Sequence, residues 1–85
     1  MRVVYHKNFR KQYKKLRAIQ RQIDERLVLF MKNPFNPNLN NHALSGKYRG
    51  YRSINITGVY RAFYEVIEAD LIQFIIVDTH SNLYR

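Results

Sequence analysis

The apolar residues of this chain change their period once. Phe9, Tyr13, Leu16, Ile23, Leu27 and Phe30 recur at helical spacing with Lys and Arg between them. From residue 50 onward the pattern is that of strands. "GYRSINI" (50–56) alternates, "VYRAFYEVI" (59–67) is rich in aromatic and β-branched residues, and "LIQFIIVD" (71–78) is almost wholly apolar. The change falls on "NPFNPNLNNH" (33–42), which holds five Asn and both prolines and is a loop by composition. "RVVY" (2–5) ahead of the helical half reads as one more strand.

Asn8 is the N-cap candidate of the helical half, and Asn33-Pro34 ends it, because the residue before proline resists the α conformation. One helix over about 8–32 would be roughly 37 Å long at 1.5 Å per residue. A compact chain of this size has a radius of gyration of about 12 Å and a diameter near 30 Å. A single straight helix would overhang its own core, so the reading is two helices folded back on each other, breaking near Ala18. "TG" (57–58) and "EAD" (68–70) are the turns between strands, and "LIQFIIVD" reads as a central strand buried on both faces. The tail "THSNLYR" (79–85) is too short to be a stable element alone. The expected fold is α+β, in the order β-α-α-β-β-β over one domain spanning residues 1–85. It is an antiparallel sheet of about four strands with an N-terminal helical hairpin packed on one face.

A domain of 85 residues buries only about 60% of its unfolded surface. With no cysteine, no disulfide reinforces it, and the lack of cysteine and shortage of histidine argue against a structural zinc site. The N-terminal segment becomes charged within seven residues and has no apolar signal region. The longest nearly apolar run, residues 71–77, is far too short to cross a bilayer, so a cytoplasmic protein without membrane association is expected. The net charge of +9 is lopsided. Residues 1–32 carry ten Lys and Arg against Asp24 and Glu25, whereas residues 33–85 carry five against four acids. Such a field draws phosphate backbones or an acidic protein partner.

No nucleotide-binding, metalloprotease or nucleophile-elbow motif is present. What remains is histidine near strand ends. His42 closes the Asn-rich loop, and His80 follows the last strand, two residues after Asp78. Either alone is more readily a surface or capping residue, and His6 is read as nothing more. Arg61 lies mid-strand, where a guanidinium is costly unless it pairs with Glu65 or Glu68 or is aimed at a phosphate. Lys47, Arg49 and Arg52 add charge near His42, and Tyr48, Tyr51 and Tyr84 offer rings for base stacking. For Tyr51 and Tyr64 core packing is the better reading; Tyr84, in the short tail, has less core to join. An RNA cleaver that uses the substrate's own 2′-OH needs a base, an acid and a cation, and no cofactor. Two histidines, an arginine and a tyrosine meet that need.

"HALSGKYRGYRSINITGVYRAFYEV" followed by "DTH" resembles the RelE/ParE superfamily of type II toxin–antitoxin toxins, and within it the YafQ-like and YoeB-like mRNA interferases. The likeness covers residues 42–84 closely and the β-α-α start in outline. It implies a RelE-like toxin that cleaves mRNA on the ribosome without a metal, held in check by a cognate antitoxin that wraps around it. The basic helices, with Lys14 and Lys15 in the first, would grip ribosomal RNA. His42 and His80 match catalytic histidines, Arg61 a phosphate-binding arginine, Tyr84 a C-terminal aromatic and Asp78 an acid of the HigB-like branch. Lys47, Arg49 and Arg52 would face the RNA together with His42, while Leu44 and Gly46 build the turn. The chain also departs from these relatives. Asn38 stands where the YoeB-like branch has a catalytic glutamate, and Asn55, Val59 and Tyr60 stand where the YafQ-like branch has a histidine, an aspartate and a tryptophan. A gyrase-directed ParE-like toxin and a non-catalytic binding module of the same fold are the alternatives, and the His42/His80 pair favours the nuclease.

Overall fold

The period change marks the boundary between the helical and the sheet halves. In the computed structural model, which describes residues 1–85, β1 (Arg2–Tyr5) leads into α1 (Lys7–Lys15). A single 3₁₀ turn over Arg17–Ile19 joins α1 to α2 (Gln20–Lys32). The reversal therefore falls at Ala18, and Gln20 Nε2 donates to the Tyr13 carbonyl at 2.9 Å, adding to the Leu16 N–H that reaches the same carbonyl at 3.3 Å at the end of α1. The molecule measures 32 × 28 × 26 Å with a radius of gyration of 11.8 Å, too short for one unbroken helix. The cap of α1 is not Asn8. His6 is the N-cap, and its Nδ1 accepts from the Asn8 backbone N–H at 3.0 Å.

After a 3₁₀ turn at Pro37–Leu39 come β2 (His42–Ala43), a further 3₁₀ turn at Gly46–Tyr48, β3 (Arg52–Asn55), β4 (Tyr60–Glu68), β5 (Leu71–Thr79) and the one-turn helix α3 (His80–Leu83). The sheet has five strands in the order β1-β5-β4-β3-β2, and it is mixed rather than antiparallel, because β1 pairs β5 in parallel. The helical hairpin carries the chain across between β1 and the rest, and such a crossover is what parallel neighbours require. The fifth strand is the two-residue β2, too short to be read from a sequence pattern.

One face of the sheet lies under α1 and α2. Phe9, Ile23, Phe30 and Leu39 close on Ile54, Ile56, Ala62, Tyr64, Ile72, Phe74 and Val77. Phe74 and Val77 are three residues apart yet share this face. The reason is a bulge: Phe63 pairs Ile76 but Tyr64 pairs Phe74, leaving Ile75 over. The extra residue inverts the alternation of β5. It turns Ile76 and Asp78 to the opposite face, where unbroken alternation would have buried Asp78 beneath the helices. On β5 the helix-side Ile72, Phe74 and Val77 are buried, whereas Gln73, Ile76 and Asp78 on the other face are only partly so, and the strand is not buried on both faces.

Candidate functional site

The face away from α1 and α2, called here the open face, is built in rows. The strand register aligns His42, Ser53, Phe63 and Ile76 in one row and Asn55, Arg61 and Asp78 in the next. With strands about 4.8 Å apart, His42 stands two strands from Phe63. Residues far apart in sequence thus share one surface because paired strands point opposed side chains the same way.

His42 is held by the loop before it. Asn36 caps the turn at Pro37–Leu39 by accepting from the Asn38 N–H at 2.9 Å, and Leu39 anchors that turn in the core at 0% exposure. Asn40 is the one non-glycine residue with positive φ (46°), a conformation that asparagine tolerates better than most. Its carbonyl accepts from His42 Nδ1 at 2.8 Å. A carbonyl has no proton to give, so Nδ1 carries the hydrogen of this bond, and in the neutral ring the lone pair then lies on Nε2. On the other side of Asn40, Asn41 Nδ2 donates to the Pro34 carbonyl at 2.9 Å and to Tyr64 Oη at 2.7 Å. Arg52 Nε donates to Asn41 Oδ1 at 2.9 Å, and the Arg52 guanidinium lies 5.5 Å from the Phe35 ring centre. Arg52 shares the helix-side face with Tyr64, its register partner, and does not join His42.

Arg61 pairs with Asp78 in register but forms no ion pair with it, nor with Glu65 or Glu68; Glu68 is taken by Arg2 at 3.4 Å. Instead Arg61 Nη1 donates to the carbonyls of Thr57 (2.9 Å), Tyr60 (3.1 Å) and Gly58 (3.3 Å). One nitrogen of the fork is tied to the β3–β4 turn, and Nη2 and Nε make no hydrogen bond within the chain. Asp78 Oδ1 accepts from the Thr79 N–H at 2.7 Å and from Asn82 Nδ2 at 3.1 Å, so this carboxylate serves the start of α3. Asn55 Oδ1, in the Arg61 row, is buried without a hydrogen-bond partner.

The tail beyond β5 does fold, because Leu83 buries itself to 2% exposure and gives one turn of helix a hydrophobic anchor. The His80 N–H donates to the Val59 carbonyl at 2.8 Å, while its ring stays exposed, 4.7 Å from that of Tyr84. Tyr84 is 47% exposed yet edges against Phe63 and Tyr48, both at 6.0 Å. Tyr48 in turn meets the fully buried Phe63 at 4.9 Å and donates from Oη to the Leu83 carbonyl at 2.7 Å. Tyr84 therefore has more to rest on than its place in a short tail suggests. Lys47 Nζ reaches the Arg85 carbonyl at 3.3 Å and lies over the Tyr48 ring at 5.1 Å. The strand register and these contacts bring His42, Arg61, Asp78, His80, Tyr84 and Lys47 to the open face. Arg49 is exposed just past the turn, whose Gly46 takes φ 66°. Lys14 and Lys15 are exposed at the end of α1, away from this face.

Three residues that shape the face carry no chemical signal in the sequence. Phe63 is its floor, Leu83 ties down its edge, and the Asn40 carbonyl orients His42; of these, only an asparagine run before a histidine hints at a left-handed turn. The open face is not a cavity. The largest cleft, about 460 Å³, is lined by Tyr5, Phe9, Arg10, Tyr13, Lys14, Asp24 and Leu27 on the helix side. There Tyr13 Oη donates to Asp24 Oδ1 at 2.7 Å, and this bond raises the Tyr13 phenol above its ordinary value; burial and the same carboxylate raise Tyr5. Nowhere do three histidine, aspartate or glutamate side chains converge as a metal site would require, and no helix is long and apolar enough to cross a membrane.

Among known structures the chain is similar to YafQ from E. coli strain BL21(DE3), at 20% identity and a TM-score of 0.84, with 100% of each chain covered. It is similar at 20% identity and a TM-score of 0.82 to the toxin in an E. coli DinJ–YafQ complex, again with 100% of each chain covered. A YoeB/ParE toxin from Agrobacterium tumefaciens matches at 21% identity and a TM-score of 0.78, over 94% of this chain and 99% of that one. No curated protein sequence matches. At these identities the structures speak for the fold. The family is shown by the sequence model described as "Bacterial toxin of type II toxin-antitoxin system, YafQ", which matches residues 1–85. The chain belongs to the YafQ family of bacterial toxins of type II toxin–antitoxin systems.

Proposed function

We propose that this toxin is an mRNA endoribonuclease that works without a metal ion. The observation that carries the reading is the shared face. A histidine with a free Nε2 (His42), an arginine with free donors (Arg61) and a second histidine beside an aromatic ring (His80 and Tyr84) meet on one side of the sheet. His42 Nε2 takes the proton of a ribose 2′-OH, and the 2′-oxygen bonds to the adjacent phosphorus. Arg61 stabilises the charge that builds on the phosphoryl oxygens. His80, in its protonated form, gives a proton to the departing 5′-oxygen as the P–O5′ bond breaks. The products are a 2′,3′-cyclic phosphate and a 5′-hydroxyl. Tyr84 offers a half-exposed ring for a base, and Lys47 and Arg49 meet the backbone.

A flat face suits a site that a larger partner completes, so the substrate is mRNA presented by the ribosome, with Lys14 and Lys15 against ribosomal RNA. The chain has a net charge of +9, and E. coli YafQ is seen in complex with DinJ; we assign this toxin, too, an antitoxin partner with an acidic binding segment.

The test is a cell-free translation reaction with purified protein, with mRNA 5′ ends mapped with and without ribosomes. Discrete cuts within codons, present only with ribosomes and lost in His80→Ala, are expected. No cut under either condition would discard the nuclease and direct the work to a gyrase supercoiling assay.

A further inference from the structure

We infer that Asn40 is a positioning residue for His42. Its left-handed backbone aims a carbonyl at Nδ1, locks the ring in the Nδ1–H tautomer and leaves Nε2 as the proton acceptor. This deepens the ribonuclease reading above and rests on it for the catalytic consequence, though not for the tautomer itself.

The geometry is local. A residue two positions before a histidine in an extended strand would have its carbonyl turned away from that ring. Here Asn40 takes φ 46° and ψ 48°, and the carbonyl instead sits 2.8 Å from Nδ1. The conformation is held from both sides. The Asn40 N–H donates to the Pro37 carbonyl at 3.2 Å, with Leu39 sealed in the core beneath it. Asn41 is pinned by Pro34, Tyr64 and Arg52. Arg52 thus supports the site through the loop rather than by touching RNA.

An exposed histidine with no such partner exchanges freely between tautomers, and only one of them can accept a proton at Nε2. A fixed hydrogen bond on the far nitrogen removes that ambiguity.

The experiment is imidazole ¹⁵N NMR of His42 in the full chain, in the parent, Asn40→Gly and Asn40→Val, read beside ribosome-dependent cleavage. The parent should show Nδ1–H predominating at a pH where the ring is neutral. Glycine takes the left-handed conformation freely, so Asn40→Gly should keep both the tautomer and the cleavage rate. A β-branched residue resists it, so Asn40→Val should mix the tautomers and cut cleavage by about tenfold, the lower end of what such supporting partners contribute. A predominantly Nε2–H ring in the parent overturns the inference whatever the variants do. So does cleavage by a folded Asn40→Val at the parental rate. If Asn40→Val does not fold, the parent's tautomer and the Gly variant still decide. A parent that shows Nδ1–H but cuts no RNA would sink the nuclease reading and leave the tautomer lock standing.

Discussion

Tyr48 Oη donates to the Leu83 carbonyl at 2.7 Å, tying the turn before β3 to the one-turn helix that follows β5. The two residues are 35 positions apart, and the bond closes the aromatic edge of the open face. Tyr48→Phe keeps the ring contact with Phe63 and removes only this bond. It should cost about 1 kcal/mol in urea unfolding, and cleavage should fall severalfold as His80 and Tyr84 lose their fixed mount. Parental cleavage in a measurably destabilised Tyr48→Phe would show that the bond serves the fold alone.

His80 contributes its backbone to the fold and its ring to the surface. His80→Ala retains the N–H that bonds Val59, so the unfolding midpoint should stay within error of the parent while cleavage drops by about 10²–10⁴-fold. Circular dichroism on the same sample separates loss of chemistry from loss of structure.

Arg61 holds the β3–β4 turn with one nitrogen and leaves the rest of its fork free. Arg61→Lys preserves the charge without the fork geometry. Cleavage should fall by roughly 10²–10³-fold, the range for one lost transition-state donor, and stability by about 1 kcal/mol for the lost turn contacts. A lysine variant that cleaves like the parent would argue against phosphate binding by this side chain.

Arg49 and Arg52 lie three residues apart but differ in surroundings, one exposed and one hydrogen-bonded to Asn41. Removing a phosphate contact lowers the slope of log affinity against log salt by about 1. Arg49→Ala should show that decrease in RNA binding. Arg52→Ala should leave the slope unchanged and instead lower the melting temperature. Equal slopes for both variants would erase the distinction drawn from their environments.

Tyr13 titrates above its ordinary value of 10.0 because its hydroxyl donates to Asp24, whose charge also opposes ionisation. The folded state therefore holds this proton more tightly than the unfolded state. The stabilisation is complete below pH 10.0 and fades as pH rises through the raised folded value. Asp24→Asn should move the phenol back toward the ordinary value, read by ultraviolet absorbance during a base titration. An unmoved Tyr13 would mean that the carboxylate is not the cause.

The period change at residues 33–42 was enough to divide the chain into a helical hairpin and a set of strands, since amphipathic spacing and proline act locally. That the helical half reverses followed from its length, because a helix of roughly 37 Å cannot cover a body about 30 Å across; no glycine or proline marks the place, and the folded chain turns at Arg17–Ile19. The residue types needed for RNA cleavage could also be named from the chain, as chemistry travels with the side chain. What pairing decides is different. That β1 lies parallel to β5 depends on which strand edge the hairpin returns to, and no residue states it. That Asp78 faces Arg61 rather than the core depends on Ile75 being left out of the ladder. That Arg52 supports a loop while His42 faces outward depends on a register in which one step reverses the face. The proton on His42 is assigned by a carbonyl whose direction comes from one left-handed residue. Side-chain identity is written locally, whereas face and orientation are set by long-range pairing, in which one residue's shift turns a side chain to the other side of the sheet.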